Sequence, residues 1–268
     1  MNRSPAVAGQ FYPGRADELR SMVQQMVDPE AKKEKALAVV SPHAGFIYSG
    51  HVAGAVFSSV VLPERIVLLG PSHRDIQPLF AVSAGGAWRT PLGEVPVDSA
   101  LARAILHRSP LLEEDEGAHA REHSLEVQIP FIQCLRPEFS IVPVCISYRA
   151  GYGELEELGL ALAAGIKESR EDVLIVASTD MSHYVSEKTA KRKDFMAIEK
   201  ILALDARGLY DVVRKEDISM CGFQPATAAI IAAKELGAGK AELVRYQTSG
   251  DVSGDYDQVV GYAGLRIS

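Results

Sequence analysis

Three apolar runs in the sequence each end in a polar loop that contains a histidine. The runs cover residues 37–40, 65–70 and 172–177, and the histidines that follow them are His43, His73 and His183. Short apolar runs bounded by turn residues are typical of buried strands. If the strands are parallel neighbours, their loops meet at one edge of one sheet, where open α/β sheets bind ligands. The pattern therefore predicts an α/β fold with a site built from these loops.

Between and after these runs, apolar side chains recur at helical spacing. The predicted helices cover residues 16–27, 52–61, 98–108, 122–135, 154–167, 190–204, 206–215 and 225–236. The other predicted strands cover residues 79–82, 94–97, 140–146, 241–248 and 258–267, and residues 85–93 are expected to form a loop. Pro130 is expected to kink or interrupt the helix over 122–135. This alternation predicts one α/β domain over residues 1–268, with a central mixed sheet flanked by helices on both faces.

The charge balance and composition argue against several classes of protein. The chain has 268 residues, a net charge of −7 and no cluster of Lys and Arg, which argues against nucleic-acid binding. The densest basic run, residues 188–193, is expected to be a solvated helix face. No apolar run approaches the roughly 18 residues of a membrane span, and the N-terminus has no apolar signal core. Three cysteines fit a reducing compartment, so we expect a cytoplasmic protein.

Common catalytic motifs are missing from the sequence. There is no GxGxxG, Walker A loop, HExxH, CxxC or GxSxG. Their absence argues against dinucleotide binding, phosphoryl transfer, zincin chemistry and α/β-hydrolase chemistry. The histidine loops are left as the main candidates for a functional site.

His43 and His73 lie in separate loops, each at the end of a predicted strand. Imidazoles are good ligands for iron, zinc and copper. The alternative is that both are polar residues hydrogen-bonded in tight turns. Asp180 and His183 share the third loop, three residues apart, where Asp180 would complete a metal site or orient an imidazole. His183 would then act as a general acid/base; the alternative is a turn cap and a surface side chain.

Cys221 precedes Gly222 and a helix expected to begin at Pro225. Helix amides and the helix dipole lower the pKa of a thiol, and a thiolate beside two imidazoles is a competent metal ligand. The alternative is a small buried hydrophobic residue, which is also our expectation for Cys134 and Cys145. Near the start of the helix over 122–135, His123 is placed to reach the pocket. The histidines without comparable context are expected to be exposed: His51, His107 and His119.

Six motifs in chain order resemble the Memo family, whose prokaryotic members are also called AmmeMemoRadiSam system protein B. The motifs lie at residues 5–13, 41–45, 70–73, 122–128, 182–184 and 221–222. They extend over nearly the whole chain. The name of the prokaryotic members implies a functional link to a radical-SAM protein.

The resemblance implies a fold similar to class III extradiol ring-cleaving dioxygenases, in which two histidines and a glutamate hold Fe(II). On this resemblance, His43 and His73 take the two histidine positions and His183 the acid/base position. Cys221 stands where those enzymes have the carboxylate ligand, with Asp180 beside it. A thiolate changes the charge and redox properties of an iron site and is itself oxidisable, which argues against ring cleavage.

Three functions are consistent with these residues. The first is a protein that binds iron(II) or copper through His43, His73 and Cys221, with Asp180 as a further ligand or neighbour, and has a redox activity as one option. His123 and His183 would line the pocket. The second is a binding module whose pocket holds a peptide or small molecule without a metal. The third is cysteine nucleophile chemistry by Cys221 with His183 and Asp180.

Overall fold

A computed structural model describes residues 2–268. The strands are β1 Asn2–Arg3, β2 Ala38–Ser41, β3 Arg65–Pro71, β4 Phe80–Val82, β5 Ala87–Thr90, β6 Gly93–Pro96, β7 Leu112–Glu114, β8 Ser140–Ile146, β9 Val173–Ser178, β10 His183–Val185, β11 Ala241–Thr248 and β12 Val259–Ile267. The α-helices are α1 Ala16–Met26, α2 Phe46–Ser58, α3 Ser99–Leu106, α4 Glu116–His119, α5 Ile129–Leu135, α6 Tyr152–Ser169, α7 Glu187–Leu202, α8 Ala206–Lys215, α9 Phe223–Glu235 and α10 Gly250–Ser253. A 3-10 helix, Glu126–Gln128, precedes α5.

The centre of the large sheet is a block of four parallel strands in the order β2, β9, β3, β8. Nearly all their residues are buried, which fits the continuous apolar runs expected of strands covered on both faces. β12 runs antiparallel to β2, and β4 runs antiparallel to β8, so the sheet is mixed. The three runs that end in histidine loops are therefore parallel neighbours, which is the condition under which their loops meet at one edge.

Side chains of the central strands alternate between two apolar cores. On β3, Val67 and Leu69 point into the core beneath α3, α6 and α9, whereas Ile66 and Leu68 point into the core beneath α1, α2 and α5. All four side chains are fully buried. Each buried aliphatic side chain contributes about 1.5–3 kcal/mol of transfer free energy. This arrangement of a mixed sheet between two helical layers confirms the predicted fold class.

Two local predictions were wrong. Residues 85–93 are not a loop, because β5 pairs with β6 and with the distant β1, and its Trp88 is buried under the guanidinium of Arg3. The helix over 122–135 begins only at residue 126, as a 3-10 helix that ends at residue 128. Pro130, which was expected to kink or interrupt the helix, lies directly after this interruption, in the first turn of α5. Proline is tolerated there because that amide has no helical acceptor.

Among the described residues, no helix combines the length and the apolar composition that a bilayer crossing requires. The longest helix, α6, has charged residues along its sequence and packs on α9 and α3. The parallel strands all point their carboxyl ends to the same edge of the sheet. The loops that follow β2, β3 and β9 therefore share one end of the molecule.

Candidate metal centre

His43 lies in the turn after β2 and is almost completely buried. Its backbone amide donates to Asp180 Oδ1 at 2.8 Å, and its ring Nδ1 lies 2.9 Å from Ser178 Oγ. Ser178 is the last residue of β9, and Asp180 lies in the loop after it. The neighbouring strand therefore fixes both the backbone and the ring of His43.

The hydrogen bonds around Ser178 determine which nitrogen of His43 carries the proton. Ser178 Oγ donates its one proton to the carbonyl of Ser124 at 2.6 Å and accepts from Gln128 Nε2 at 2.8 Å. It can therefore only accept from His43, so Nδ1 is the protonated nitrogen. The lone pair of His43 Nε2 is left for the site.

Glu122 fixes His73 in the same way. His73 Nδ1 lies 2.9 Å from Glu122 Oε1, and its backbone amide donates to Glu122 Oε2 at 2.7 Å. A carboxylate only accepts, so His73 also carries its proton on Nδ1 and has Nε2 free. A histidine that donates its second ring N–H to a carboxylate is the usual arrangement of a metal-binding imidazole.

Glu122 is also the anchor of its own loop. Its Oε1 accepts from the amides of His123 and Ser124, both at 2.8 Å. Burial raises the pKa of this carboxyl, but His73 and the amides of Ser124 and His73 overcome that effect, and the pKa lies well below its ordinary value. Glu122 is therefore an anion whose acceptor positions are used by the protein.

The Cys221 Sγ atom lies 3.2 Å from His43 Nε2 and accepts from the Asp180 amide at 3.3 Å. The next residue, Gly222, donates to Thr179 Oγ1 at 2.9 Å. A Cβ on Gly222 would collide with the Ser178 carbonyl and the Thr179 side chain, so the close approach of the two loops requires glycine. This contact brings the sulfur beside the imidazole.

The expected lowering of the thiol pKa was wrong. Burial, followed by the negative charge of Asp180, raises the pKa of Cys221 well above its ordinary value. Desolvation of the thiolate dominates at this position over any lowering of the pKa by the beginning of α9. Without a cation nearby, Cys221 is a neutral thiol at pH 7.

The structure brings together the side chains of His43, His73 and Cys221, whose ligand atoms all lie within 4.8 Å of one another. A second group of the same compactness contains Asp180, His183 and Cys221. The sulfur belongs to both groups, and the two groups together contain five of the residues that the sequence indicated. These separations are comparable to those between donors around one transition-metal ion, bonded at about 2.0–2.3 Å.

Asp180 and His183 have different degrees of contact with solvent. Asp180 is buried, and desolvation raises the pKa of its carboxyl to about 6, against the lowering effect of the His43 amide. His183 is only partly buried, and its Nδ1 lies 2.8 Å from the carbonyl of Ser219. Because a carbonyl only accepts, His183 donates from Nδ1 and has Nε2 free.

His123 stacks on His73, with ring centroids 4.4 Å apart, and also contacts the ring of Phe11. Burial lowers the pKa of His123 to about 4, so it is neutral at pH 7. These rings line a cavity of about 610 Å³ at the carboxyl edge of the sheet. The lining residues are Phe11, His43, Ala44, Gly45, Tyr48, His73, His123, Asp180, His183, Tyr184, Ser249, Ser253, Asp255, Gln258, Val260 and Tyr262.

The remaining histidines lie away from this cavity. His51 and His107 are exposed, as predicted. The prediction that His119 is exposed was wrong: it is fully buried, its Nε2 donates to the Ala81 carbonyl at 3.1 Å, and it contacts the ring of Trp88. The strand β5, which the sequence analysis missed, supplies that contact.

Comparison with known proteins shows the family of this chain. A sequence profile of Memo-like proteins matches residues 3–266. The chain belongs to the Memo family. It is 42% identical over 279 residues to a MEMO1 family protein of Methanopyrus kandleri, covering 99% of this chain and 98% of the relative. It is also 43% identical over 265 residues to a MEMO1 family protein of Aquifex aeolicus, covering 98% of both chains.

A solved structure of an uncharacterized protein from Escherichia coli K12 has the same general fold as this Memo-family chain. The TM-score is 0.51 with 14% sequence identity, over 85% of this chain and 99% of that one. At this identity the likeness concerns the fold alone.

Three residues that support the imidazoles were missed by sequence reasoning: Glu122, Gln128 and Ser178. Each is almost fully buried, although polar. Glu122 and Gln128 lie in the motif at 122–128, where they were assigned to a helix. The segment at 122–128 otherwise resembled a buried helix, and its cluster of polar residues was the sequence signal that Glu122 and Gln128 have another role.

Proposed function

We propose that this Memo-family protein binds a first-row transition metal, iron(II) in preference and copper as the alternative, through His43, His73 and Cys221. Asp180 would be a fourth ligand or a neighbouring charge, and a small molecule would occupy the adjoining cavity. The observation that supports this proposal most strongly is the donor arrangement. Two imidazoles are held through Nδ1 by Ser178 and Glu122, so that both Nε2 lone pairs are available beside one sulfur.

The donor set fits this type of metal. Imidazole and thiolate suit iron, copper and zinc, whereas magnesium and calcium require oxygen ligands. Within residues 2–268, no protein group hydrogen-bonds to Nε2 of His73. The buried thiol of Cys221 has a raised pKa, and a bound cation would favour its ionised form. The site therefore has free bonding capacity that a metal would use.

When bound, iron or copper would supply electron-transfer or oxygen chemistry. The chain itself would bind and orient the ligand against the walls of the cavity. His183 would accept a proton from the ligand, or return one, at Nε2, because its Nδ1–H is held by the Ser219 carbonyl. His123, neutral at pH 7, would offer a hydrogen bond without adding charge.

Metal analysis of protein prepared and loaded with Fe(II) without oxygen tests the proposal. We expect about one iron per chain in the wild type and little in a triple variant, His43→Ala/His73→Ala/Cys221→Ala. The matched control removes two imidazoles and one sulfur outside the site: His51→Ala/His107→Ala/Cys134→Ala. His51 and His107 are exposed and Cys134 is half-buried, so this control should bind as much iron as the wild type.

Equal and negligible iron and copper in the wild type and the site variant would contradict the metal proposal and favour a binding module. The cysteine nucleophile hypothesis predicts rapid alkylation of Cys221 in metal-free protein at neutral pH. Burial raises the pKa of the thiol, so we expect slow alkylation instead. His43 Nε2, rather than His183, is the imidazole nitrogen in contact with the sulfur.

A further inference from the structure

The cavity beside the candidate metal centre has an unusual charge. Its lining includes two carboxylates, Asp180 and Asp255, and no Lys or Arg. The chain as a whole has 28 Lys and Arg residues, so the pocket lacks cationic side chains even though they are common elsewhere in the protein. A divalent ion bound here would be balanced by the Cys221 thiolate and the Asp180 carboxylate. The charge of the Asp255 carboxylate would remain unbalanced, so the pocket would have a net negative charge.

Asp255 lies at the mouth of the cavity in the turn that precedes β12. The amide of Asp257 donates to its Oδ1 at 2.9 Å, and its own amide donates to Ser253 Oγ at 3.1 Å. Among residues 2–268, no cationic side chain forms an ion pair with Asp255. The carboxylate is thus held in a turn, and its second oxygen has no protein partner.

Tyr184 is at the same mouth, with 74% of its surface exposed. Its φ of 56° is in the left-handed region, which is rare for an aromatic residue. It lies at an irregularity between His183 and Val185, both of which pair with β12. Strained residues of this kind cluster at ligand sites. The faces of Tyr184 and the nearby Tyr48 can attract a cation.

Tyr262 lines the cavity but is only 2% exposed. Its hydroxyl has no hydrogen-bond partner among the described residues, unlike that of Tyr246, which donates to Asp194 at 2.7 Å. Burial raises the pKa of Tyr262 well above its ordinary value, so the hydroxyl keeps its proton. A hydroxyl on the wall of a cavity that the protein does not satisfy is available to donate to a ligand.

We propose that the pocket selects a small molecule that carries a protonated amine, held at the mouth by Asp255 and Tyr184, and an oxygen acceptor that takes the Tyr262 hydrogen bond. The inference rests on the proposed function in that the ligand occupies the same pocket. A volume of about 610 Å³ suits a small molecule. Asp255 and Tyr262 are then the residues that determine specificity.

Three phenols that differ mainly at one end test the charge preference: tyramine, 4-ethylphenol and 3-(4-hydroxyphenyl)propionate. Each offers the same phenol oxygen to Tyr262, with a cationic, neutral or anionic tail. Dissociation constants would be measured by calorimetry at pH 7 on Fe(II)-loaded wild-type protein without oxygen. We expect tyramine to bind about tenfold more tightly than 4-ethylphenol, and the propionate to bind most weakly.

Two variants separate the two contacts. Asp255→Asn should reduce the preference for tyramine over 4-ethylphenol to about twofold or less, because the charge is lost. The control Asp257→Asn removes an exposed charge two residues away that does not line the cavity, and it should keep the wild-type ranking. Tyr262→Phe should weaken all three phenols by a similar factor, about fivefold, without changing their order.

A wild-type preference for the anionic phenol, an unchanged ranking in Asp255→Asn, or no tyramine binding would each overturn the proposal. An unchanged affinity in Tyr262→Phe would overturn the assignment of the oxygen acceptor. Iron content would be measured on the same samples. A failed ranking with iron retained contradicts only this inference, whereas a wild type without iron contradicts the proposed function.

Discussion

The two edges of the central sheet each have a cavity, but their polar side chains are used in different ways. At the amino edge, a cavity of about 430 Å³ is lined by residues that include Lys35, Lys167 and Asp172. Lys35 pairs with Asp172 at 3.2 Å, and Lys167 pairs with Glu235 at 2.7 Å. The charges at this edge therefore interact with each other in solvent.

At the carboxyl edge, the protein holds each key imidazole through Nδ1; among the described residues, Nε2 of His73 has no partner and Nε2 of His43 contacts only the Cys221 sulfur. Ser178 holds His43 and Glu122 holds His73, and the Cys221 sulfur lies 3.2 Å from Nε2 of His43. Both edges have a cavity, so the cavity alone does not identify a site. What distinguishes the carboxyl edge is bonding capacity that the fold orients but does not use.

Among the substitutions that test this difference between the two edges, removal of the Glu122 side chain is expected to have the largest effect. Glu122→Ala would leave three backbone amides and one ring N–H, all buried or partly buried, without their present acceptor, and each such loss costs about 1–3 kcal/mol where water cannot replace the acceptor. We expect the free energy of unfolding to fall by at least about 3 kcal/mol and iron affinity to fall about 100-fold. Urea denaturation and metal titration measure the two effects.

If Glu122→Ala does not fold, Glu122→Gln provides the same test with a smaller perturbation. The side-chain amide keeps one oxygen acceptor but loses the negative charge that His73 Nδ1–H contacts. Iron affinity should still fall at least about tenfold. Wild-type affinity in a folded Glu122→Gln protein would show that the negative charge behind His73 does not contribute to iron binding.

The buried His119 and the exposed His107 are expected to differ in their effect on the pH dependence of stability. Burial lowers the pKa of His119 to about 4, so as pH falls below 6.5 the unfolded chain takes up a proton before the folded chain does. The stability present above pH 6.5 is therefore lost between pH 6.5 and 4, by about 3 kcal/mol for this residue. Urea denaturation across this range should show a shallower loss for His119→Gln than for the wild type.

Glutamine at position 119 keeps a donor for the Ala81 carbonyl without a titratable group. The control, His107→Gln, changes an exposed imidazole and should leave the pH profile as it is. Identical profiles for His119→Gln and the wild type would contradict the assignment of His119 as a neutral buried residue.

Ser178→Ala should have a smaller effect on iron binding than the Glu122 variants. The hydroxyl orients His43 but carries no charge, so we expect iron affinity to fall about tenfold. The free energy of unfolding should fall by about 1–3 kcal/mol, because Gln128 and the Ser124 carbonyl lose a buried partner. An unchanged iron affinity at reduced stability would assign Ser178 a structural role only.

The smallest effect is expected at the amino edge. Asp172→Ala removes an ion pair whose two side chains are 82% and 80% exposed, and such pairs contribute about 0–1 kcal/mol. The free energy of unfolding and iron affinity should both stay close to wild-type values. Loss of iron binding in Asp172→Ala would contradict the claim that the charged residues at the amino edge have no role in metal binding.

The sequence predicted those parts of the fold that depend on local periodicity. The bounds of β8 and α8 match the predicted segments, and the three histidine runs are parallel neighbours. The strand β5 was missed because one of its two partners, β1, is remote in sequence, although the other, β6, follows it directly in a hairpin. Pairing with β1 across such a distance leaves no periodic signal in β5 itself.

The candidate ligands could be found in the sequence because His43, His73 and Asp180 follow strand ends and Cys221 precedes a helix, but their supports could not. The role of Glu122 depends on backbone amides in its own and a distant loop, and that of Ser178 on a carbonyl and an amide of the segment at 124–128. The thiol pKa of Cys221 was predicted in the wrong direction because burial is set by packing. The unpartnered hydroxyl of Tyr262 likewise emerges only in three dimensions.

The most direct test of the account is anomalous scattering at the iron edge from a crystal grown with Fe(II) without oxygen. The account predicts one strong peak within about 2.0–2.4 Å of His43 Nε2, His73 Nε2 and Cys221 Sγ. The absence of a peak at that point, or a strong peak at the amino-edge cavity only, would contradict the proposed metal centre.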